Sequence, residues 1–249
     1  MTLLAVERIK LFTTRSPWWC ALVALAVTVG FAAMISASAP SAEFVNVASS
    51  EFGYRFGMAV VMVLAALAVT TEYRFGTIRT TFQAVPHRGA ALTAKATVVA
   101  ALAAFIGLLA GFGSWAVALL IQPDGDLALD SAADWINVAG ISVVYGLAAI
   151  IAVAIGILVR HSAGAVAILL IYALAVENLV QLIPTVGEKI YAWLPFNVAH
   201  RFIAGDGVAQ DGPPLSNSPL TPGWALAYFA GFALVMLAVA IGVAKKRDA

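Results

Sequence analysis

Residues 135–183 read WINVAGISVVYGLAAIIAVAIGILVRHSAGAVAILLIYALAVENLVQLI, two long apolar runs joined only by Arg160, His161 and Ser162. A bilayer's hydrocarbon core is about 30 Å thick and a helix rises about 1.5 Å per residue, so about 20 apolar residues cross it. The runs 135–159 and 163–183 both meet that length. The short joint between them predicts an antiparallel hairpin of membrane helices, with His161 a solvated turn residue.

The same test applied outward finds further spans at 18–37, 53–71, 94–121 and 224–244. Composition agrees: 62% of residues are hydrophobic, 11% are charged and the mean hydropathy is +0.96. Soluble domains hold roughly 45–50% apolar and about 25% charged residues. The expected fold is an all-α integral membrane protein, one transmembrane domain over 1–249 with six spans. A secretory signal in 1–38 is the lesser alternative. Basic residues precede its apolar run and Ser36, Ala37, Ser38 and Ala39 are small, but the run exceeds the about 7–15 residues of a signal core.

Positive charge is retained on the cytoplasmic side of membranes. If the N-terminus lies inside, eleven of the fourteen Lys and Arg fall on inner segments, all but Arg55, Lys189 and Arg201. The outer segments collect acids instead, among them Glu43, Glu51, Asp124, Asp126, Asp130, Asp134, Glu188, Asp206 and Asp211. Both termini are therefore expected in the cytoplasm. The net charge of +1 adds nothing to this sidedness, and no nucleic-acid partner is expected.

Ahead of the first span, in 1–16, Val6, Ile9 and Phe12 recur three apart beside Ala5, with Glu7, Arg8 and Lys10 elsewhere on the wheel. This predicts an amphipathic helix in the inner interface, although Leu3, Leu4 and Leu11 blur its polar face. Pro17 ends it, and Trp18 and Trp19 sit where aromatic belts form. In the outer segment 184–222, residues 186–205 suit short helices embedded in the outer interface, whereas 206–223 are turn-rich and expected to be mobile. The pairs Gly53/Gly57 and Gly107/Gly111 permit close helix contact.

The loop 72–95, EYRFGTIRTTFQAVPHRGAALTAK, holds more pattern than orientation needs. Gly76 permits a sharp turn and Thr77 can cap a new helix. Ile78, Thr81, Phe82 and Val85 then share one side and Arg79 and Gln83 another, until Pro86 stops the helix and Arg88 and Gly89 turn the chain into the third span. A short, stiff, partly apolar helix of this kind suits docking into a partner's groove. Anchoring to acidic lipid would explain Arg79 and Arg88, but not the punctuation by Gly76 and Pro86.

This segment closely resembles the EY-x-x-GTIR, P-x-R, K pattern of type-2 ABC transport permeases, the exporter subunits related to those for bacitracin and lantibiotic immunity. The matching residues are Glu72, Tyr73, Gly76, Thr77, Ile78, Arg79, Pro86, Arg88 and Lys95. The layout matches as well: interfacial elbow helix, six spans, a coupling loop after the second and a long outer segment before the sixth. Trp193, Leu194, Pro195 and Phe196 resemble the region of the family's small outer gating helices. The resemblance implies that the helix at 76–86, which includes Phe82 and has Arg74 just ahead of it, receives force from a separate nucleotide-binding subunit. It also implies a second permease copy or paralogue, ATP and Mg2+ held in the ATPase, and a bacterial-type cytoplasmic membrane with its lipids.

The residues themselves exclude several chemistries. None of the five lysines stands in G-x-x-x-x-G-K-[ST], so no phosphate loop is encoded and no cofactor is expected in this chain. His87, His161 and His200 are too scattered for a metal site, G-x-S-x-G is absent, and Cys20 is alone. The chain is expected to be a non-catalytic permease for a hydrophobic or amphiphilic cargo such as a drug, antibiotic peptide or lipid.

Glu177 is the one acid well inside a predicted span, and an ionised acid near the bilayer centre costs about 2.5–3.5 kcal/mol on insertion scales. Two readings offset that cost. Glu177, with Asn178 and Gln181 on the same stretch, faces a substrate cavity; or it pairs internally, with Arg55 as partner. Tyr145, Asn137, Ser142 and Tyr172 either line a path or bond between helices. Rival functions are an ion-gradient-driven transporter or channel using Glu177, and a membrane sensor or assembly subunit that transports nothing.

Overall fold

Among the described residues of the computed structural model, six helices are long and apolar enough to cross a bilayer, which makes the chain an all-α, multi-pass membrane protein. The structure describes residues 2–85, 87–205 and 216–247. Helix α1 (Leu3–Phe12) precedes the first span, α2 (Ser16–Ser38), whose first turn takes Pro17 because the amide hydrogen missing there has no helical partner anyway. A one-turn helix, α3 (Val47–Ser50), leads into the second span, α4 (Tyr54–Arg74). Then come α5 (Thr77–Ala84), the third span α6 (Arg88–Ile121) and the fourth span α7 (Ala132–Val159). The fifth span begins as α8 (Ser162–Ile171), passes through a π-helical turn at Tyr172–Val176 and ends as α9 (Glu177–Val180). Two short helices, α10 (Gly187–Tyr191) and α11 (Pro195–Ala204), precede the last span, α12 (Pro222–Arg247).

The hairpin closes by a tighter device than a solvated turn. Arg160 takes the left-handed conformation at φ 59°. His161 then starts α8 by accepting the Gly164 amide at Nδ1, 3.1 Å away. His161 is exposed at the joint, as expected of a solvated turn residue, and in addition its ring nitrogen satisfies one of the amides a helix start leaves unpaired.

Helix α7 is the centre of the bundle, packed by α4, α6, α8, α11 and α12. Without a hydrophobic drive between helices in lipid, close backbone approach supplies the packing energy. Gly107 and Gly111 provide it on α6, where an added Cβ would overlap the Ile141 and Val138 carbonyl oxygens of α7. Between α2 and α4, Gly57 leaves room for the hydroxyls of Thr28 and Tyr145. Tyr145 is fully buried and donates to the Tyr54 carbonyl at 2.7 Å, so it bonds between helices and lines no path within the chain.

Two helix ends depart from the expected spans. Helix α6 begins at Arg88, well before the apolar run, so Arg88 and Gly89 lie in its first turn and the chain reverses ahead of them. Helix α9 stops at Val180, leaving Gln181 exposed in the turn that follows while Glu177 is buried. Pro184 lacks an amide hydrogen and disfavours helical angles before it, so the helix unwinds early. The expectation of a mobile stretch falls largely on residues 206–215, outside the described residues.

Candidate functional site

At the end of the bundle that carries α1 and α5, two acids and two lysines from three helices meet, with Glu7 and Lys95 buried and Lys10 half-buried at the edge. Lys95 of α6 is 5% exposed, and its Nζ donates to Glu7 Oε2 of α1 at 2.5 Å and to Glu72 Oε1 of α4 at 2.8 Å. Lys10 Nζ donates to Glu7 Oε1 at 2.8 Å and to Thr81 Oγ1 of α5 at 3.0 Å, and lies 3.5 Å from Glu72 Oε1. Burial alone would push the Glu7 carboxyl up, but Lys95 and Lys10 outweigh it and hold the group below the ordinary carboxylate range. Burial likewise opposes charge on Lys10, and Glu7 and Glu72 raise it above the ordinary lysine value. The cluster ties α1, α4, α5 and α6 into one unit.

The wheel of α1 keeps Ile9 and Phe12 outward, as an interfacial helix would, but turns part of its polar side inward. Glu7 and Leu11 are buried, while Leu4, Ile9 and Phe12 are exposed. Glu7 and Lys10 turn to partners inside the protein while Arg8 is exposed, and Leu4, Ile9 and Phe12 face outward beside Trp18, whose ring lies 5.6 Å from that of Phe12.

Helix α5 hangs from this unit. Gly76 adopts φ 73° and turns the chain out of α4. Thr77 does not cap the helix as expected: Gly76 occupies the cap position, and the Thr77 hydroxyl points back to the Glu72 carbonyl at 3.5 Å. Ile78 is buried, and Thr81, Phe82 and Val85 are half-buried on the same side. The Arg88 guanidinium sits 5.6 Å from the Phe82 ring centroid, so Phe82 faces the protein and anchors α5. The outward face carries Arg79, Thr80 and Gln83, with Arg74 exposed at the end of α4 ahead of the turn. Phe75, 72% exposed, adds an apolar knob that the sequence pattern does not single out. A cleft of about 760 Å³ opens beside it, with Tyr73, Arg79, Arg88 and Arg247 among its walls. Arg160 lies 5.0 Å over the Tyr73 ring there. Pro86 is outside the described residues.

At the other end, Glu177 is fully buried, and its two oxygens accept the amides of Phe196 at 3.0 Å and Asn197 at 2.9 Å. These amides open α11, whose cap residue Leu194 offers no side-chain acceptor and whose first residue is Pro195. A carboxylate from the fifth span thus caps the helix from outside, where orphan amides and the helix dipole favour negative charge. The π turn immediately before Glu177 adds a residue to the ladder and re-aims the side chains after it. The direct pair expected with Arg55 is not formed: Glu177 acts on the guanidinium only through space, and Arg55 Nη2 is buried without a hydrogen-bond partner among the described residues. Asn178 is exposed and donates to the Leu174 carbonyl at 3.0 Å. Asn137 likewise turns back to the Ala133 carbonyl at 3.0 Å, and the Tyr172 ring packs 6.1 Å from that of Phe196.

Three functional candidates escape a reading of the sequence. Glu7 looks like one charge on a polar face, because its partner Lys95 is 88 residues away. Phe75 precedes the turn, and Glu51 lies in a short link; both lack a local pattern. Among the described residues no group of His, Cys, Asp and Glu could hold a metal ion.

A family model described as ABC-2 family transporter protein matches residues 3–176, from α1 through the π turn of the fifth span. Among curated proteins none matches the chain closely enough to count as a relative. The match covers well over half of the sequence, and the helical architecture of six spans agrees with it: the chain belongs to the ABC-2 transporter family.

Proposed function

We propose that this ABC-transporter permease subunit works in an exporter, with α5 as the helix through which a separate ATPase moves it. The observation that carries the reading is α5 itself: a two-turn helix outside the spans, set at an angle by Gly76, presenting Phe75, Arg79, Thr80 and Gln83 outward while Ile78 and Lys10–Thr81 fix its back. A rigid lever with an exposed apolar and basic face transmits a push; a flexible loop would absorb it. ATP and Mg2+ are bound by the ATPase, and the permease pairs with a second copy or paralogue to enclose a path between them. Alternating access carries a hydrophobic or amphiphilic cargo outward. In this reading the chain sits in a bacterial-type cytoplasmic membrane with both termini and α5 in the cytoplasm.

The test is capture of the ATPase that co-purifies with the permease, together with its hydrolysis rate in proteoliposomes. Phe75→Ala and Arg79→Ala are each expected to lower capture about tenfold, the loss of roughly 1.4 kcal/mol at a docking surface. Phe82→Ala acts by loosening α5 and should lower thermal stability as well. Unchanged capture and hydrolysis in both Phe75→Ala and Arg79→Ala would remove the support for α5 as the docking helix.

A further inference from the structure

Where α3 meets α4, on the side opposite α5, a cavity of about 690 Å³ opens among α3, α4, the fifth span and α11. Its rim is aromatic: Phe44, Phe52 and Phe56 line it and all three are well exposed. Its wall holds Glu51, which is only 2% exposed, yet neither carboxyl oxygen has a hydrogen-bond partner among the described residues. A buried, unpaired carboxyl costs several kcal/mol as an anion, and a native protein seldom leaves one without reason. Nothing in the packing requires an acid here. The position closes α3 through its backbone, its amide donating to the Ala48 carbonyl, and a glutamine of the same shape would do that equally well.

We infer that this cavity is a binding site for an organic cation with an apolar tail, a protonated or quaternary amine whose positive head lies against Glu51 and whose body packs on Phe44, Phe52 and Phe56. Aromatic faces attract such cations and a carboxylate completes the neutralisation. The other walls leave Glu51 as the acceptor. Tyr54 and Arg55 of α4 also line the cavity: the Tyr54 hydroxyl is committed to His200 Nδ1 of α11 at 2.6 Å, and Arg55 brings a guanidinium to the same wall, so the cation's head must lie on the Glu51 side. Burial and the nearby Arg55 push His200 down to about 3, so it adds no competing charge. Tyr145 of α7 is committed to the Tyr54 carbonyl. Glu43 lines the cavity in an exposed stretch, and Asp126 meets α3 only through its backbone, whose amide bonds to the Val45 carbonyl.

The empty site holds its proton. Burial pushes Glu51 up to about 9, so the carboxyl is neutral near pH 7 and must lose a proton when a cation enters. Binding is therefore linked to pH: a permanently charged ligand binds more tightly as pH rises toward that value. The site's place on an exit route rests on the export reading above; binding itself does not, and is measured without any ATPase.

The experiment titrates hexyltrimethylammonium, whose charge does not vary with pH, into purified permease in lipid nanodiscs at pH 7 and pH 9. For a group near 9, linkage predicts an affinity about 50-fold higher at pH 9, with close to one proton released per cation bound at pH 7. Glu51→Gln should fold normally, since it removes no hydrogen bond seen here, and should lose both the pH dependence and the proton release. Phe52→Ala should weaken binding several-fold at both pH values and keep its pH slope. Equal affinity in wild type and Glu51→Gln, or equal binding of the uncharged analogue with carbon in place of the ammonium nitrogen, would overturn the inference. Loss of ATPase capture in the α5 variants with this titration intact, or the reverse, tells which of the two readings has failed.

Discussion

Glu177 holds two amides of α11 with two oxygens, and only a carboxylate can do so. In Glu177→Gln one oxygen is replaced by an amino group that meets a donor with a donor. Loss of a hydrogen bond to a charged acceptor costs about 1.5–3 kcal/mol, so a melting temperature several degrees lower in the same detergent is expected, with cargo preference unchanged. An unaltered melting point with a changed preference would return Glu177 to a cargo-facing role. The buried cluster at the opposite end adds a pH argument. The Glu7 carboxyl is held below its ordinary range, so its contribution is complete above that range and is lost as pH falls through its folded value. Lys10 is raised, so its contribution is complete below the ordinary lysine range and is lost as pH rises through its folded value. Amide exchange protection of α1 should therefore be flat from about pH 6 to 9 and fall only in stronger acid or base. Glu7→Gln should loosen α1 at neutral pH, and protection equal to wild type would show that the cluster does not hold it.

Helix α5 was legible as an element because its marks are local: a glycine to turn, an apolar stripe and a following proline, all within about ten residues. Which residue presents itself outward was not legible. The spacing sets Phe82 on the apolar side with Ile78 and Val85, but whether that side meets a partner or the protein's own core is decided by packing, and Phe75, outside the stripe, carries no local mark. Helix α1 shows the same limit more sharply, since a charge facing water and a charge facing a buried lysine leave identical patterns on a wheel. Gly76 isolates the contribution of α5's angle. No atom lies within 4 Å of where its Cβ would be, so Gly76→Ala acts only through the left-handed backbone at φ 73°. That conformation costs an ordinary residue roughly 1–2 kcal/mol, whereas asparagine tolerates it better. Gly76→Ala should preserve the spans but lower cargo moved per ATP hydrolysed, and Gly76→Asn should recover part of it. Full coupling in Gly76→Ala would mean that the angle of α5 does not matter.

For the whole molecule, span number followed from run length and the bilayer's thickness, but the arrangement of spans did not follow from hydropathy. The 18-residue apolar stretches of α2 and α7 have similar mean hydropathies, 2.3 and 2.6, yet 22% of the first and 61% of the second is buried in protein. Lipid tails and packed side chains are equally apolar, so hydropathy cannot tell which of them a helix faces; small residues such as Gly107 and Gly111 carry that information more directly. Sidedness is a third kind of statement, resting on charge counts outside the spans. If eleven of the fourteen basic residues mark the cytoplasmic face, α5 lies inside and α10 outside. Cys20, the sole cysteine, is first replaced by serine. An impermeant maleimide added to intact cells should then label Lys189→Cys but not Arg79→Cys, both positions being exposed in the structure. In inverted vesicles the pattern should reverse. Labelling of Arg79→Cys in intact cells would place α5 on the outer face, out of reach of any cytoplasmic ATPase, and would remove the export mechanism proposed for this chain.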